Sequence, residues 1–399
     1  MTSSASHAPP SASPVLVVNA GSSSLKARLL PDGPSMLVER IGADGDARIA
    51  VGGATVEERP IGDVHEAFAA ALSAAERAGG ATADGVAVVG HRVVHGGERF
   101  REPTVLTDEL LEELDRLSPL APLHNPANLA GVRAARSLLP HARHVAVFDT
   151  AFHADLPRRA YLYGLPIELY RRDGIRRYGF HGTSHDVVSE RLAARLGRPR
   201  EQLRIVTLHL GNGASAAAVR YGVSVDTTMG FTPLEGLMMG TRSGDVDPGI
   251  LLHLLRSGTE VGDLDDLLNR RSGVLGLSGV SNDLRDVRAA AEAGDETAAA
   301  ALEAYAYRIR TTIASMAAAM GGVDAVAFTG GVGENDARTR AEACDELAFL
   351  GIEIDPEANA AHGPRIGSDG APVETWVIPT DEEGRIAELA RAAAAKETA

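Results

Sequence analysis

The feature that most limits the possible folds of this chain is a pattern that occurs twice. An apolar strand, a turn containing glycine and a second apolar strand are predicted over residues 17–29, and the same order returns over residues 207–219. In each segment the turn glycine, Gly21 or Gly211, precedes an apolar residue by eight positions. Although a glycine hairpin is by itself a common element, its recurrence favours a fold made of two similar halves.

Around these hairpins, short apolar strands alternate with amphipathic helices, which is typical of an α/β fold. Strands are predicted at residues 15–18, 86–89, 145–148, 205–210, 325–328 and 375–378. Helices are predicted at residues 64–77, 108–117, 184–196, 296–320 and 381–395. Asp381 is the predicted N-cap of the last helix, because Glu382 and Glu383 would place negative charge in its first turn.

Length and charge limit the classes of function. A chain of 399 residues is long enough for two domains, and its net charge of −15 argues against broad nucleic-acid or membrane surfaces. No apolar run approaches the roughly 20 residues of a membrane span. Residues 1–14 are rich in Ser, Ala and Pro and are predicted to be a disordered tail. The single cysteine, Cys344, is typical of a cytoplasmic protein.

Three apolar strands lead into polar segments rich in glycine, at residues 19–26, 209–215 and 328–335. Glycine lets backbone N–H groups approach phosphate oxygens closely, whereas a tight turn without a ligand is the plainer explanation of any one segment. Three of them together favour a nucleotide. The P-loop pattern does not occur, and Ala217–Val219 is predicted as a strand, which disfavours a dinucleotide fingerprint at residues 211–216.

Two arginines, Arg92 and Arg242, are each bracketed by small residues or turns, which suits guanidinium groups that bind a small anion. A solvated surface charge is the alternative for each. His91 and His95 are four residues apart, a spacing that would suit a metal pair on a helix. The intervening valines favour a strand or its end instead, and no pattern of zinc ligands accompanies them.

Three oxygen-bearing side chains are candidates for other roles. Asp149 ends an apolar strand, where α/β proteins gather ligand-binding groups, although it could equally cap the following turn. Asn19 and Glu382 are candidate oxygen ligands of Mg²⁺, a cation that takes few protein groups when phosphates supply the others. Their spacing alone does not connect them.

Taken together, these segments resemble the acetate kinase family, which belongs to a superfamily with sugar kinases, heat-shock chaperone ATPases and actin. The resemblance covers about residues 15–395 and includes, in order, NAGSSSLK, HRVVHGG, HNPAN, FDTAFH, YGFHGTSH, HLGNGAS, FTGGVGEN and IPTDEE. Residues 226–249, DTTMGFTPLEGLMMGTRSGDVDPG, are the most specific segment.

The resemblance implies reversible phosphoryl transfer from ATP to acetate, giving ADP and acetyl phosphate. By matching motif, Arg92 and Arg242 would hold the carboxylate and the transferring phosphoryl group, and His181 would hydrogen-bond that group in the transition state. Asp149 is the family's acid/base or positioning candidate. Positioning is favoured here, since a carboxylate substrate is already a nucleophile at neutral pH.

The same resemblance assigns binding residues. The acetate methyl group would contact Val94, Leu123, Phe180 and Pro233, with His124 nearby. The nucleotide would contact His209, Leu210, Gly211, Asn212, Gly213, Asp283, Leu284, Arg285, Gly331, Val332, Gly333, Glu334 and Asn335, with Lys26 near its phosphates. Asn19 and Glu382 would support Mg²⁺, for which Mn²⁺ is an alternative.

The implied fold is two actin-like (ribonuclease H-like) α/β domains with a nucleotide cleft between them. The first would span residues 15–150 together with the C-terminal helix 382–396, and the second would span residues 151–381. The family also implies a cytoplasmic homodimer joined through the second domain, without nucleic-acid or membrane partners. Asp381 departs from the asparagine of many relatives, which could alter charge near the metal.

Two alternatives stay open. A propionate kinase would use the same mechanism with a slightly wider pocket, and one methylene is worth only about 1–3 kcal/mol of discrimination. A non-catalytic actin-like ATP-binding protein would need the nucleotide segments but not Arg92, His181 and Arg242.

Overall fold

The computed structural model describes residues 14–79, 85–122 and 124–396. The predicted tail, apart from Pro14, and the candidate substrate residue Leu123 lie outside the described residues. The chain forms two compact units. Unit 1 contains the described residues up to Gly96, Glu102–Phe148 and the segment from Glu383 onward, and unit 2 contains Gly97–Arg101 and Asp149–Glu382.

The two units contain thirteen strands and fifteen α-helices within the described part of the chain. The strands are β1 Val15–Ala20, β2 Ser24–Leu30, β3 Ser35–Glu39, β4 Ala47–Val51, β5 Ala54–Arg59, β6 Val88–Val93, β7 Thr104–Val105, β8 Arg143–Phe148, β9 Arg204–Leu210, β10 Ala214–Arg220, β11 Val223–Thr227, β12 Ala325–Thr329 and β13 Glu374–Val377. The helices are α1 Val64–Arg77, α2 Asp108–Arg116, α3 Asn125–Leu138, α4 Arg158–Tyr161, α5 Ile167–Asp173, α6 Gly182–Leu196, α7 Pro248–Arg256, α8 Val261–Arg270, α9 Gly273–Ser278, α10 Leu284–Glu292, α11 Glu296–Met320, α12 Gly330–Asn335, α13 Ala337–Cys344, α14 Pro356–Ala360 and α15 Glu382–Lys396.

Unit 1 is built on an eight-stranded sheet with the order β5-β4-β3-β2-β1-β6-β8-β7. Strands β1–β5 form an antiparallel meander, and β1, β6 and β8 are parallel. Leu16 and Val18 of β1 pack in one core with α1 and α3, whereas Val15 and Val17 pack in another with α15. Both faces of β1 are therefore buried, which explains why its sequence is continuously apolar.

Unit 2 is built on a five-stranded sheet with the order β11-β10-β9-β12-β13. β9, β10 and β11 are antiparallel neighbours, and β9, β12 and β13 are parallel. Val188 and Leu192 of α6 pack against Ile205 of β9. The long helix α11 contacts β9, β10 and β11. It begins at the N-cap Asp295, which accepts hydrogen bonds from two backbone N–H groups of its first turn.

The α/β class and both hairpins are confirmed by β1–β2 and β9–β10. Helices α1 and α11 have the predicted bounds. The strand predicted at 86–89 was placed wrongly, since β6 spans Val88–Val93. The residues Gly90, His91 and Arg92 interrupt its apolar pattern, and the continuation of the strand was therefore not recognised. The glycine-rich segment after β12 is a short helix, α12, and not an open loop. In the described residues, no helix is long and apolar enough to cross a membrane.

Candidate active site

The first hairpin of unit 1 places Asn19 and Lys26 directly opposite each other. They are cross-strand partners in the β1–β2 register, so both side chains leave the same face of the sheet. Asn19 is partly buried and Lys26 is exposed. The amide and the ammonium are thus neighbours at the turn end of the sheet.

The end of β6 holds the candidate residues Arg92 and Val94. Arg92 is partly buried in the strand, and Val94 is buried just beyond it. The backbone N–H of Val94 donates to Asn128 Oδ1 at 3.0 Å, and the His95 N–H donates to Asn125 Oδ1 at 3.1 Å. These two asparagines belong to α3, so a helix fixes the backbone that follows Arg92.

Asn125 and Asn128 also reach other parts of unit 1. Asn125 Nδ2 donates back to the His95 carbonyl at 3.0 Å, and Asn128 Nδ2 donates to the Ala20 carbonyl at 2.7 Å. His124, the remaining described substrate candidate of this segment, is the N-cap of α3. Helix α3 therefore ties the end of β6 to the end of β1. Neither asparagine of the HNPAN motif was predicted to have a role.

In unit 2, His181 lies at a strained corner immediately before α6. Its φ of 55° is in the left-handed region, which a residue other than glycine rarely adopts. The next residue, Gly182, donates its N–H to the Asp149 carbonyl at 2.9 Å. A Cβ on Gly182 would lie 2.2 Å from that carbonyl oxygen, so only glycine permits this close approach. The corner thereby holds His181 beside the buried Asp149 backbone.

The His181 ring is the first member of a line of hydrogen-bonded side chains. Its Nδ1 lies 2.9 Å from Ser215 Oγ, and that oxygen lies 2.8 Å from His185 Nε2. His185 Nδ1 in turn lies 2.7 Å from Thr207 Oγ1. Ser215, His185 and Thr207 are fully buried. None of the three was predicted as a site residue. The spacing of four residues between His181 and His185 would have placed them on one side of α6 only once the start of this helix was known.

Two more nitrogen-bearing side chains approach His181. The rings of His181 and His209 lie 4.3 Å apart between centroids. A Cβ on Gly213 would lie 3.6 Å from both His181 Nε2 and Arg242 Nη2, so these two nitrogens converge on the same small space. Arg242 is held there by Nη1, which donates to the Pro233 carbonyl at 2.8 Å. Three of the residues predicted from the motifs, His181, Arg242 and Pro233, are thus brought together in unit 2.

Phe180, a candidate for the methyl pocket, is buried beside His153. His153 Nε2 lies 3.1 Å from the Phe180 carbonyl oxygen, and its Nδ1 lies 2.7 Å from Ser224 Oγ. Burial lowers the pKa of His153 to about 4. His153 is therefore a neutral, structural ring that supports the backbone just before His181.

A cavity of about 570 Å³ in unit 2 gathers the predicted nucleotide segments. Its volume is in the range of small-molecule sites in proteins. The predicted residues that line it are Gly211, Asn212, Asp283, Leu284, Arg285, Gly331, Val332 and Asn335. Lining residues without an earlier role are Gly240, Val274, Asn282, Arg288, Tyr305 and Asp336. The predicted residues His209, Leu210, Gly213, Gly333 and Glu334 are not part of its lining.

Polar contacts hold the walls of this cavity in place. Asn212 Oδ1 accepts a hydrogen bond from Asn282 Nδ2 at 3.1 Å, and the Gly240 N–H donates to the Asn212 carbonyl at 3.0 Å. Asp283 is the N-cap of α10, and its hydrogen bonds from Arg285 lower the pKa of its carboxyl to about 2. The cavity therefore has a carboxylate and a guanidinium at the start of one helix.

Helix α12 is fixed by two charged groups from outside the cavity lining. The Glu334 carboxylate accepts from the Gly330 N–H at 3.0 Å and from the Thr380 N–H at 3.3 Å. The fully buried Arg340 donates from Nη1 to the carbonyls of Gly333 and Glu334, both at 3.0 Å. A cation at the carbonyl end of a helix is electrostatically favourable. Arg340 thus stabilises the segment that forms one wall of the cavity.

Arg340 is itself held by α14 and its flank. Its Nε donates to Asn359 Oδ1 at 2.8 Å, and its Nη2 donates to the Asn359 carbonyl at 2.8 Å. All these acceptors are neutral oxygens. Arginine is abundant in this chain and is usually a solvated surface residue, so nothing in the local sequence distinguishes Arg340.

The candidate metal ligands have the right chemistry for Mg²⁺. Asn19 belongs to unit 1, and Glu382, the first residue of α15, belongs to unit 2. Both present oxygen donors, which Mg²⁺ prefers, and both are partly exposed. Across the described ranges, no group of three or more His, Cys, Asp or Glu side chains could hold a metal. Each of the two side chains thus offers an oxygen of the kind that Mg²⁺ prefers.

Known proteins match this chain over nearly its whole length. A sequence profile described as the Acetokinase family matches residues 14–388. The chain is 52% identical over 397 residues to an acetate kinase of Leifsonia xyli subsp. xyli, which covers 96% of this chain and 99% of that relative. It is 50% identical over 383 residues to a propionate kinase of Escherichia fergusonii, which covers 94% and 95%. The chain also matches the crystal structure of Porphyromonas gingivalis acetate kinase, with a TM-score of 0.90 and 44% sequence identity. The match covers 96% of this chain and 100% of the other chain.

Proposed function

This chain belongs to the acetokinase family and catalyses the acetate kinase reaction, and we propose that it does so by direct in-line transfer at the space between His181 and Arg242. An acetate oxygen attacks the γ-phosphorus of ATP, the bond from that phosphorus to the bridging oxygen breaks, and ADP leaves with the electron pair. The observation that supports this site is the convergence of His181 Nε2 and Arg242 Nη2 beside Gly213, next to the Gly211–Asn212 wall of the cavity.

The proposed roles follow from where charge develops. In the transition state, negative charge is spread over the three equatorial oxygens of the transferring group. N–H groups that are already fixed in place stabilise this charge without reorganisation. Arg242 and His181 supply such donors from unit 2. Arg92 is assigned to the acetate carboxylate and the same phosphoryl group, because a guanidinium can bind two oxygens at once. Lys26 is assigned to the nucleotide phosphates as a compact point charge.

Asp149 is proposed as a positioning residue. Its side chain is buried, and its backbone carbonyl accepts the Gly182 N–H at the corner that carries His181. Acetate is ionised at neutral pH and needs no base to remove a proton. The Asp149 carboxylate is therefore assigned to orient groups around the reacting oxygens.

The nucleotide is proposed to occupy the 570 Å³ cavity, with acetate held by apolar side chains around its methyl group. Those side chains are Val94, Leu123, Phe180 and Pro233, with His124 nearby. Asn19 and Glu382 would hold Mg²⁺, or Mn²⁺ in its place, through oxygen atoms. Such an ion neutralises negative charge on the phosphates when it is bound.

We also propose that the protein is a homodimer joined through unit 2. The support is α7, which is rich in Ile and Leu yet has no buried residue. Leu252 and Leu255 of this helix are 50% and 37% exposed. They are three residues apart and therefore lie on the same face of the helix, and an exposed apolar face of this kind marks an interaction surface. The Leu252→Glu variant is expected to be monomeric in light scattering. Val56→Glu, at a residue that is 50% exposed in unit 1, is the matched control.

The cytoplasm is proposed as the place of action. ATP is the co-substrate, and the single thiol is buried, with the pKa of Cys344 raised to about 12 by burial.

The proposed reaction is tested by trapping the acyl phosphate with hydroxylamine. The enzyme is incubated with ATP, Mg²⁺ and acetate, propionate or butyrate, and the hydroxamate is measured. We expect product with acetate at the highest kcat/KM, and formation of hydroxamate more than about a hundredfold slower with Arg242→Ala. A higher kcat/KM for propionate would assign the chain to propionate instead. ATP binding without any hydroxamate would favour a non-catalytic ATP-binding protein.

A further inference from the structure

The line of side chains from Thr207 through His185 and Ser215 to His181 is more than a structural contact. We infer that it acts as a one-way relay of hydrogen bonds that keeps the His181 proton on Nε2, so that a neutral ring donates to the transferring phosphoryl group. Ser215, His185 and Thr207 would then be positioning residues for catalysis. The inference concerns the site proposed above and rests on that function, but the proton position itself can be measured without any reaction.

The direction is decided at Thr207. Its hydroxyl proton has two acceptors within reach, namely His185 Nδ1 at 2.7 Å and the Ala217 carbonyl oxygen at 3.5 Å. Hydroxyl hydrogen bonds are formed at about 2.5–3.0 Å, so the second distance is too long for a good bond. Thr207 is fully buried in β9. A proton directed away from His185 would thus be left poorly satisfied in the protein interior, which is unfavourable. The Thr207 hydroxyl therefore donates to His185 Nδ1.

The hydrogen bond that His185 accepts from Thr207 determines which of its ring nitrogens carries the proton. Burial lowers the pKa of its ring well below the usual value, and the nearby His153 and His209 act in the same sense. A neutral imidazole has one N–H and one acceptor nitrogen. Since Nδ1 accepts from Thr207, the proton lies on Nε2, which is 2.8 Å from Ser215 Oγ. His185 therefore donates to Ser215.

Ser215 completes the relay. Its hydroxyl has a single proton, and it lies between His185 Nε2 and His181 Nδ1, at 2.8 Å and 2.9 Å. Because the oxygen accepts from His185, its own proton is directed to His181 Nδ1. That nitrogen is then an acceptor, and the remaining ring proton of His181 must be on Nε2. Every donor of the relay has one acceptor at a good distance.

The result suits the surroundings of His181. Nε2 and the adjacent Cε1 form the edge of the ring that approaches Gly213, at 3.6 Å and 3.5 Å from a Cβ built there, and Nε2 is the nitrogen of that edge beside Arg242 Nη2. Groups beside the ring include the Arg242 guanidinium, the His209 ring at 4.3 Å and the Ser215 hydroxyl. A neutral ring avoids placing a second positive charge beside this guanidinium. His181 can then donate an N–H to an anionic oxygen without first taking up a proton.

The proton positions are tested by nitrogen NMR of the full-length protein with ¹⁵N-labelled histidine, at neutral pH and without ligands. Long-range ¹H–¹⁵N correlations distinguish a ring with its proton on Nε2 from one with its proton on Nδ1. His181→Gln and His185→Gln identify the two sets of signals. We expect both rings to be neutral and protonated on Nε2. A His181 ring that is protonated on Nδ1, or on both nitrogens, would overturn the inference.

A pair of variants tests the effect on catalysis. Thr207→Val removes the first donor with little change of shape, whereas Thr207→Ser retains it and is the matched control. In Thr207→Val we expect the His181 signals to report loss of the single Nε2–H form and kcat to fall by about tenfold or more, with the KM for ATP unchanged. Thr207→Ser should keep both the wild-type His181 signals and the wild-type kcat. A Thr207→Val enzyme that keeps the wild-type His181 signals would refute the relay.

These readouts separate the relay from the proposed function. A wild-type protein with both rings protonated on Nε2 but with no hydroxamate formation would refute the function and leave the relay standing. An active enzyme with His181 protonated on Nδ1 would refute the relay and leave the function standing.

Discussion

Asn19 and Lys26 are direct cross-strand partners in the first hairpin of unit 1. His209 and Ser215 are likewise partners in the first hairpin of unit 2. In both hairpins the first partner lies one residue before the last residue of its strand. Corresponding positions of the two hairpins therefore carry different pairs of polar groups. In unit 1 they are the Asn19 amide and the Lys26 ammonium, and in unit 2 they are the His209 imidazole and the Ser215 hydroxyl.

The position of Lys26 predicts that its shape matters as well as its charge. Lys26→Arg keeps the positive charge but replaces a compact ammonium with a planar fork that also needs more room beside Asn19. We expect kcat to fall by about tenfold, measured as ADP release at saturating substrates. Lys396→Arg at the end of α15 is the control and should behave as wild type. An unchanged kcat in Lys26→Arg would remove the proposed phosphate role of this lysine.

The convergence of His181 and Arg242 predicts losses in kcat rather than in nucleotide binding. His181→Ala and Arg242→Ala each remove a donor whose partner charge peaks in the transition state, so kcat should fall by more than about a hundredfold. The Kd for ATP, measured by calorimetry, should change little. Arg195→Ala, at an exposed arginine of α6, is the control. If either site variant kept kcat and only raised KM, the role assigned to that residue would be wrong.

We predict that Arg340 affects nucleotide binding indirectly, by stabilising the helix α12 that forms one wall of the cavity. Arg340→Met removes the guanidinium donor from the carbonyls of Gly333 and Glu334, and the Glu334 carbonyl also has a ring nitrogen nearby, His362 Nδ1 at 3.1 Å. The variant should raise the KM for ATP by about tenfold while the KM for acetate stays the same. Loss of several buried hydrogen bonds should also reduce the free energy of unfolding by about 3 kcal/mol.

The control for Arg340 lies on the same helix. Arg338→Met changes an exposed arginine that pairs with Glu292, and such pairs contribute about 0–1 kcal/mol. It should alter neither the KM for ATP nor the midpoint of urea unfolding by a measurable amount. Equal increases in both KM values for Arg340→Met would show that Arg340 affects the whole of unit 2 and not the cavity wall.

Buried histidines predict a loss of stability in mild acid. The pKa of His153 is lowered to about 4 by burial, and that of His95 is also lowered to about 4, from a usual value of 6.5. Between pH 6.5 and 4 the unfolded chain binds protons at these residues that the native protein does not. Stability is therefore complete above pH 6.5 and decreases as the pH falls toward 4, by about 3 kcal/mol for each residue.

This pH dependence is measured by urea unfolding at a series of pH values. In His153→Gln the slope between pH 6.5 and 4 should be smaller than in the wild type. His65→Gln, at an exposed histidine of α1, should keep the full slope. An identical slope in His153→Gln would mean that this ring is protonated in the native protein.

The proposed methyl pocket predicts a change in substrate preference. Val94→Ala should enlarge the space beside the acetate methyl group and shift the ratio of kcat/KM for propionate over acetate upward by about tenfold. Val93→Ala, at the neighbouring buried residue of β6, tests whether any loss of packing has the same effect. A ratio that shifts equally in both variants would exclude Val94 from the pocket.

The sequence was sufficient for elements with strong local signals. Helices α1 and α11 have clear periodicity and N-cap aspartates, and were predicted at their observed bounds. The meander β3–β5 was not predicted, because Glu39, Arg48 and Glu57 interrupt its apolar pattern on the exposed side. Helix α12 was also missed, since three of its six residues are glycine and propensity disfavours them.

Candidate site residues could be predicted only where they lie within a recognised motif. The motifs gave His181 and Arg242, but Ser215, Thr207 and Arg340 act through partners distant in the chain, and nothing in their local sequence indicates those partners. Thr207 and Ser215 resemble ordinary strand residues, and only the pairing of β9 with β10 and the packing of α6 place them beside His185. Tertiary structure, not composition, distinguishes such residues.

The exposed position of Lys26 on β2 has a practical consequence, because this chain contains only one other lysine, Lys396. An amine-selective reagent can modify just these two side chains and the N-terminal amine, while the 37 arginines do not react. The extent of modification at Lys26 relative to Lys396 can be read from two peptides of the same molecule. An arginine-rich composition thus provides a single-site chemical reporter at the first hairpin, with an internal reference on the last helix.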